Sequence, residues 1–430
     1  LKVLRGGGIF FPRLGRVFSS PLGRNLLYLY LVQGANYLFP LLTLPYLSRV
    51  LGPGGFGLLA VGQSLAFYLQ LLTDYNFALS GTREVARHRE DPKALSRILS
   101  GVLGAKLLLV LPAFLLALLA LRLPVLQGQE KVVFSALFWA VAWGLSPVWF
   151  FQGLERMRRV ALLELLTRAL ATFGVFLLVR GPEGVHLPLL LNGVAALGAS
   201  LLGYFWLARE VGLALPRLGE AFLYLRLGWS LFFFRLAVSL YTAANPLILS
   251  LFVPPAQVGL YAGAERLTKA LLGMVEPFNR AFFPRLSHLV HADPLRAGTL
   301  GRRILSLMGA LGVVGALLVA LFAPQAVSLF LGRGYEGSVP LMRTLALLLP
   351  LVALSNFLGI QWMLAWGMDR AFNAIIVLGG LGNLLLASLL AHRFGAQGMA
   401  WAVVLVEAWV TGAMWFYLAR VGKLPQGVRE

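Results

Sequence analysis

Apolar runs of about 20 residues recur from one end of the sequence to the other, each long enough to cross the hydrocarbon core of a bilayer as an α-helix. The alternating pattern of a membrane β-barrel is absent. Of 430 residues, 59% are hydrophobic and only 13% are charged, with a mean hydropathy of +0.80. A soluble domain carries about 25% charged residues. The chain therefore reads as an all-α membrane protein with about 12 transmembrane helices. The windows are 25–47, 55–77, 98–121, 132–152, 161–180, 187–208, 227–250, 257–283, 304–326, 339–362, 371–391 and 397–419.

Lysine and arginine fall unevenly between these windows. Of the 37, 24 gather on one side, in residues 1–24, in the connections around Arg83, Arg156, Arg217, Arg285 and Arg370, and in the tail. Six lie on the other side: Arg49, Arg122, Lys131, Arg180, Arg333 and Arg393. The basic side faces the cytoplasm, which puts both termini there and agrees with an even number of spans. Net charge is +20. In a soluble protein that would suggest nucleic acid; here it matches loops facing an anionic leaflet, and no nucleic-acid partner is expected. Residues 1–24 read as a basic tail on the membrane surface, because no long apolar core or small-residue cleavage site marks a signal peptide. Cysteine is absent, so disulfides, thiolate metal sites and cysteine nucleophiles are excluded. The five histidines are scattered, and neither a metal, a cofactor nor a catalytic residue is expected.

No connecting loop is long enough to fold as a domain. The longest, 79–97 and 284–303, each follow the second helix of a six-helix half, which suggests an internal repeat. Pro45 and Pro53 bracket a stretch answered by Pro246 and Pro254, and Phe56-Gly57-Leu58 is answered by Val258-Gly259-Leu260. Equal steps on from the two glycines reach Arg83 and Arg285, and Gly153-Leu-Glu-Arg156 is echoed by Gly367-Met-Asp-Arg370. The common order of these matches is the evidence. The division is a basic segment at 1–24, a six-helix lobe at 25–208, a linker at 209–226, a second lobe at 227–419 and a tail at 420–430. Six helices per lobe make the repeats parallel, related by an axis along the membrane normal. Transporters built this way bind substrate near the midplane and rock to alternate access.

One window breaks the apolar rule. Glu265, Lys269, Glu276 and Arg280 recur at steps of four, seven and four, so they share a helix face, with Arg266 beside them. Each charge at the bilayer centre costs at least about 2.5–3.5 kcal/mol on insertion scales. Salt bridging of Glu265 with Lys269 and of Glu276 with Arg280 is one solution. The other, preferred because buried ion pairs are rarely the cheapest packing, is a hydrated cationic cavity between the lobes. Window 227–250 adds Arg235, Ser239, Thr242 and Asn245 on one face, and window 25–47 adds Gln33, Asn36, Pro40 and Thr43. Interhelical hydrogen bonding accounts for Ser239 and Thr242 but poorly for Arg235. Asp74 and Lys106 read as reaching the headgroups. Glu164 and Arg168 read as an i,i+4 pair, and Glu407 is a lone acid with no evident partner. The candidate cations are Arg235, Arg266, Lys269 and Arg280. Glu265, Glu276 and Asp74 are the candidates for coupling to H⁺ or Na⁺, because an ion bound there would bias an inward–outward equilibrium.

The first hairpin resembles a known family. Gln33, Pro40-Leu-Leu-Thr-Leu-Pro-Tyr-Leu-Ser-Arg-Val-Leu-Gly52, Phe56-Gly57 and Thr82-Arg83-Glu84-Val-Ala-Arg87 look like the start of polysaccharide-repeat flippases of the Wzx type. These belong to the multidrug/oligosaccharidyl-lipid/polysaccharide (MOP) exporter superfamily. Phe150-Phe-Gln-Gly-Leu-Glu-Arg-Met157 and Gly367-Met-Asp-Arg370 fit too, so the similarity covers most of the chain. One departure is Asp74-Tyr-Asn-Phe77, where such proteins often show Asp-Phe-Gly-Phe. The resemblance implies two six-helix lobes around a central cationic cavity in a bacterial inner membrane. It also implies export of an undecaprenyl-pyrophosphate-linked oligosaccharide to the outer leaflet. Arginine and lysine would then pair with the pyrophosphate, and Gln33, Asn36, Thr242 and Asn245 would meet sugar hydroxyls. The lipid tail would stay among the bilayer lipids.

Other functions compete with this one. A drug/cation antiporter of the same superfamily should have an acidic or aromatic cavity. A lipid II flippase is similar in fold and chemistry, and the sequence separates it poorly. A membrane glycosyltransferase or polymerase needs acid/base or metal-binding carboxylates, usually on sizeable outer loops. Here the outer loops are short, with only Glu130, Glu183 and Glu336 as acids.

Overall fold

The computed structural model describes residues 21–212, 214, 216–273 and 276–425. Side chains within them are described except at 21–27, 29–30, 37, 230–231, 234, 237, 241–242 and 276–281. The described residues contain helices and no strand. The first stretch runs α1 (Pro21–Asp74), α2 (Phe77–Arg87), α3 (Pro92–Ala120), α4 (Glu130–Gly144), α5 (Val148–Gly153), α6 (Met157–Leu178) and α7 (Leu187–Glu210). The second runs α8 (Leu218–Thr242), α9 (Asn245–Leu249), α10 (Pro255–Gly273), α11 (Glu276–Ala292), α12 (Pro294–Phe330), α13 (Ser338–Leu345) and α14 (Leu348–Asn356). A π-helical turn at Phe357–Met363 and α15 (Asp369–Arg420) complete it.

Eight helical stretches among the described residues are long and apolar enough to cross a membrane. The chain is a multi-pass membrane protein. Large apolar side chains such as Leu111, Leu119, Leu317 and Leu385 stay exposed on the outside of the bundle, where lipid replaces water as the solvent.

Windows 25–47 and 55–77, expected as separate spans, form one helical run of 54 residues. At 1.5 Å per residue that is about 80 Å, far more than the roughly 30 Å of bilayer hydrocarbon. The run bends at Gly52 (φ 63°, ψ 176°), a conformation open to glycine, and Pro53 restarts the helix beyond it. The last two windows likewise join in α15 with a bend at Gly395 (φ 58°, ψ −138°). Window 227–250 is broken after Thr242 and resumes at Asn245, ahead of Pro246. Window 257–283 is helical to Gly273 and again from Glu276, with 274–275 outside the described residues.

Two helix starts use the same device. Asp91 accepts from the backbone N–H groups of Lys93 (2.9 Å) and Ala94 (3.1 Å) with Pro92 at the first turn of α3. Asp293 accepts from Arg296 N–H (3.1 Å) with Pro294 opening α12. Aspartate supplies the missing acceptor, and proline has no N–H to satisfy. The interval from Asp91 to Asp293 equals that from Gly57 to Gly259.

The apolar core is continuous at one end of the bundle and divided at the other. Leu59, Val133, Leu189, Tyr261, Leu331 and Met399, drawn from both stretches, belong to a single cluster. Towards the opposite end a second cluster is built on Phe77, Leu99, Phe150 and Leu207, and a third on Leu286, Met308, Trp362 and Leu418. The loops bearing Arg89 and His291 lie at the divided end. At the continuous end, polar contacts also tie the two stretches. Arg49 donates to Leu329 O (2.7 Å), Ser48 to Phe330 O (3.3 Å), and Tyr335 to Ser48 O (3.1 Å). Helix α8 crosses between them. Its early turns pack on α3, where Gly101 and Gly104 leave room for Tyr224 and Ala221, and its later turns pack on α15.

Candidate functional site

Helix α10 carries three charged residues close together inside the bundle. Val258, Tyr261, Ala262 and Ala264 are buried, so this apolar helix must take Glu265, Arg266 and Lys269 inward with it. Glu265 Oε1 accepts from Lys269 Nζ (3.1 Å), Tyr261 OH (3.2 Å) and Asn245 Nδ2 (3.3 Å). Asn245 opens the short helix α9 after the break in the chain, and its Oδ1 accepts from Asn383 Nδ2 of α15 at 3.1 Å. Lys269 stays half exposed, its side chain 50% accessible. Beside this network is a largely apolar cavity of 540 Å³, lined by α10, α13, α14 and both arms of α15. Arg266 points the other way. Its guanidinium bonds to Gln63 Oε1 of α1 and lies 4.7 Å from the Phe56 ring centroid, so it bridges the two stretches.

A second charged cluster sits where α1 ends. Tyr75 and Asn76 have positive φ (49° and 61°), which turns the chain sharply from α1 into α2. Asparagine tolerates that conformation better than most residues. Its Oδ1 also accepts from Arg235 Nη1 (3.2 Å), a contact that the glycine common at this place in the resembled family could not make. Asp74 accepts from the same Arg235 Nη1 at 3.1 Å and faces Lys106 Nζ at 3.6 Å. The expectation that Lys106 snorkels to the headgroups is corrected here. It is 1% exposed, donates to Gly144 O at 2.5 Å, and has Phe77 and Trp149 near its ammonium. Its flexible four-carbon stem brings the ammonium to a carbonyl and a carboxylate inside the bundle, which together pair the buried charge. The Arg235 side chain keeps 38% of its surface, facing a 190 Å³ pocket with Asp74, Gln70, Gln152 and Glu164.

A family described as "Polysaccharide biosynthesis protein" matches residues 22–290. The chain belongs to this family. It is similar to a protein of Escherichia coli (strain K12) provisionally named an O-antigen transporter, 29% identical over 400 residues, covering 92% of this chain and 96% of the relative. A protein of the same provisional name from Shigella dysenteriae is 28% identical over 393 residues, covering 89% and 96%. Among solved structures, the fold resembles a multidrug resistance MATE family transporter of the MOP superfamily in an inward-facing conformation. There the TM-score is 0.68 at 16% identity, covering 89% of this chain and 94% of the other. It also resembles the lipid II flippase MurJ in an inward closed conformation, with a TM-score of 0.65 at 12% identity, covering 92% and 87%. The family and the MOP fold agree with the Wzx-type resemblance read from the first hairpin.

Within this family member the candidate residues divide into groups. Lys269, Glu265 and Asn245 come together, and Arg235 meets Asp74, but no hydrogen bond or ion pair joins the two clusters among the described residues. Gln33 and Asn36 bond to neither, and Asn36 Oδ1 is buried without a partner. The side chains of Thr242, Glu276 and Arg280 lie outside the described residues. Glu164 and Arg168 do not come within ion-pair distance; the Arg168 guanidinium instead lies 6.0 Å from the Trp143 ring centroid. Sequence reasoning misses Asn383, Gln63 and Lys106 as members of these clusters. The first two are polar residues in apolar runs, which is a usable signal; for Lys106, distance from a span end misleads.

Proposed function

We propose that the protein flips a polyprenyl-pyrophosphate-linked oligosaccharide from the inner to the outer leaflet of a bacterial cytoplasmic membrane by alternating access. The observation that carries this reading is the apolar core, continuous at the end away from the basic loops and divided at the end that bears them. With the basic loops in the cytoplasm, that geometry is a cleft open inward and sealed outward. Two parallel six-helix lobes account for it, and the repeated Asp-Pro caps support that division.

Pyrophosphate cannot cross hydrocarbon unaided, and cations in a wet cleft lower that barrier. Lys269 and Arg235 keep partly exposed side chains and would meet the head group, with Arg266 and Arg280 completing the set. Asn245, Gln33, Asn36 and Thr242 would meet sugar hydroxyls, while the lipid tail remains in the bilayer. The provisional names of the curated relatives point to the same substrate class. No bond is made or broken in this scheme, so the protein acts as a transporter and not as an enzyme.

The test is complementation of a flippase-null strain that accumulates lipid-linked repeat in the inner leaflet. Expression of the wild-type chain should clear that pool. A pool that persists despite abundant membrane protein overturns the reading, and rescue of a lipid II flippase defect alone would reassign the substrate.

A further inference from the structure

Glu407 is used by neither charged cluster. It lies on the second arm of α15, 5% exposed, and lines the 540 Å³ cavity. Ser355 Oγ of α14 is 2.5 Å from Glu407 Oε1, and the same hydroxyl is 3.3 Å from Val352 O. A serine hydroxyl has one hydrogen to donate. The 3.3 Å contact is the ordinary back-contact of a helical serine, so Ser355 Oγ is the one side-chain hydrogen-bond partner of the Glu407 carboxyl group among the described residues. A buried carboxylate would need several donors or a cation, whereas a neutral carboxyl can donate its own proton to Ser355 Oγ and is then satisfied.

The surroundings favour the second arrangement. The other titratable groups lining the cavity are Tyr261, Glu265 and Lys269, all on α10. From α8, α13, α14, the π-helical turn and the first arm of α15 come only uncharged side chains, such as Val238, Leu345, Asn356, Ile360 and Phe372. Lys269 is already within 3.1 Å of Glu265, and Glu407 forms no ion pair among the described residues. A charged carboxylate in an apolar cavity with no cation beside it is strongly disfavoured.

We propose that Glu407 is a proton-binding site inside the C-terminal half, held by Ser355 and separate from the Glu265 network. Loss of its proton leaves an anion in a cavity whose lining offers one described cation, Lys269. Glu407 and Glu265 then compete for that ammonium. The contest bears on α10, the helix that also carries Gly259 at the sealed end. This last step rests on the transport reading; the proton site does not.

The experiment uses the full chain in lipid nanodiscs. Infrared difference spectra between acid and alkaline pH are recorded for wild type, Glu407→Gln, Glu265→Gln and Ser355→Ala. Wild type should show a protonated-carboxyl stretch that titrates. It should be lost in Glu407→Gln, persist in Glu265→Gln, and shift in frequency in Ser355→Ala. Absence of the band in wild type, or its survival in Glu407→Gln, overturns the proposal. If Glu407→Gln does not fold, an unshifted band in Ser355→Ala overturns it instead. Flipping of a lipid-linked oligosaccharide in proteoliposomes is measured at the same two pH values. Flipping that responds to pH equally in wild type and Glu407→Gln removes the coupling step. No flipping by wild type at either pH refutes the transport reading and leaves the infrared assignment standing.

Discussion

Gly57 of α1 and Gly259 of α10 meet backbone against backbone, each packed where a side chain would strike the other helix. A Cβ on Gly57 would lie 1.8 Å from Pro255 O, and one on Gly259 would lie 1.9 Å from Pro53 O. The contact is reciprocal, as expected if the two helices are related by a two-fold axis between them. It closes the end of the bundle where the apolar core is continuous, and no side chain is available there to yield.

Alanine at either glycine should therefore hold that end apart. Alanine is otherwise the better helix former, so a loss would come from the contact and not from propensity. Overpacking costs about 1–3 kcal/mol, which corresponds to roughly a 5- to 150-fold shift from sealed to open. A single cysteine at Ala262, buried in the wild-type protein, should react with an impermeant thiol reagent from outside in Gly57→Ala. Equal protection in wild type and Gly57→Ala would mean that this contact does not seal the path.

The sidedness of the basic loops makes a second expectation. Cysteines placed at Arg89 and His291, at the divided end, should be labelled only from the cytoplasm. Those at Gln127 and Glu336, in loops at the other end, should be labelled only from outside. The chain has no cysteine of its own, so the background is clean. Cytoplasmic labelling of Glu336→Cys would invert the orientation and, with it, the direction of the cleft.

Much of this architecture is legible in residue order, for particular reasons. Gly57 and Gly259 can be paired from their flanking residues, since Phe56-Gly57-Leu58 is answered by Val258-Gly259-Leu260. That they touch each other is not legible, since nothing in either segment names its partner. Gly52 and Gly395 read from sequence as parts of loops between separate spans. In the structure helical hydrogen bonding resumes at once beyond each bend, because one glycine with positive φ suffices to redirect the axis. Lys106 shows the limit most clearly. Its distance from a span end suggests snorkelling, whereas its partners, Asp74 and Gly144 O, come from distant parts of the chain. The same limit applies to Arg266, whose place on the charged stripe is plain but whose contact with Gln63 and Phe56 is not.

Arg266 allows charge to be separated from shape. Lysine keeps the charge but loses the guanidinium stacked over Phe56 and its hydrogen bond to Gln63 Oε1. Such stacking is worth about 0.5–2 kcal/mol. If the cation serves the anionic head group, Arg266→Lys should keep most flipping and Arg266→Gln should lose about tenfold or more, one factor of ten being about 1.4 kcal/mol. Both are scored at equal membrane abundance. Equal loss in the two variants would assign Arg266 to packing between α1 and α10.

Asp74 is shared between two cations of unequal exposure, and this makes its variants asymmetric. Lys106 is fully enclosed, whereas the Arg235 side chain keeps 38% of its surface. Asp74→Asn removes the carboxylate from both. Arg235 can turn to water in its pocket, but Lys106 keeps only the Gly144 carbonyl, and a buried charge stripped of its partner costs about 3–5 kcal/mol. Thermal unfolding of the purified protein, followed by tryptophan fluorescence, should therefore begin at a much lower temperature in Asp74→Asn. Arg235→Gln leaves Asp74 with Lys106 and should unfold near wild type; if the exposed cation meets the head group, as proposed, this variant should also flip poorly. Replacing both buried partners, as Asp74→Asn with Lys106→Met, should recover most of the stability, since an apolar side chain fills the site at little cost. A double variant as unstable as Asp74→Asn alone would show that the buried lysine is not the source of the loss. Arg235→Gln with undiminished flipping would remove that arginine from the substrate path.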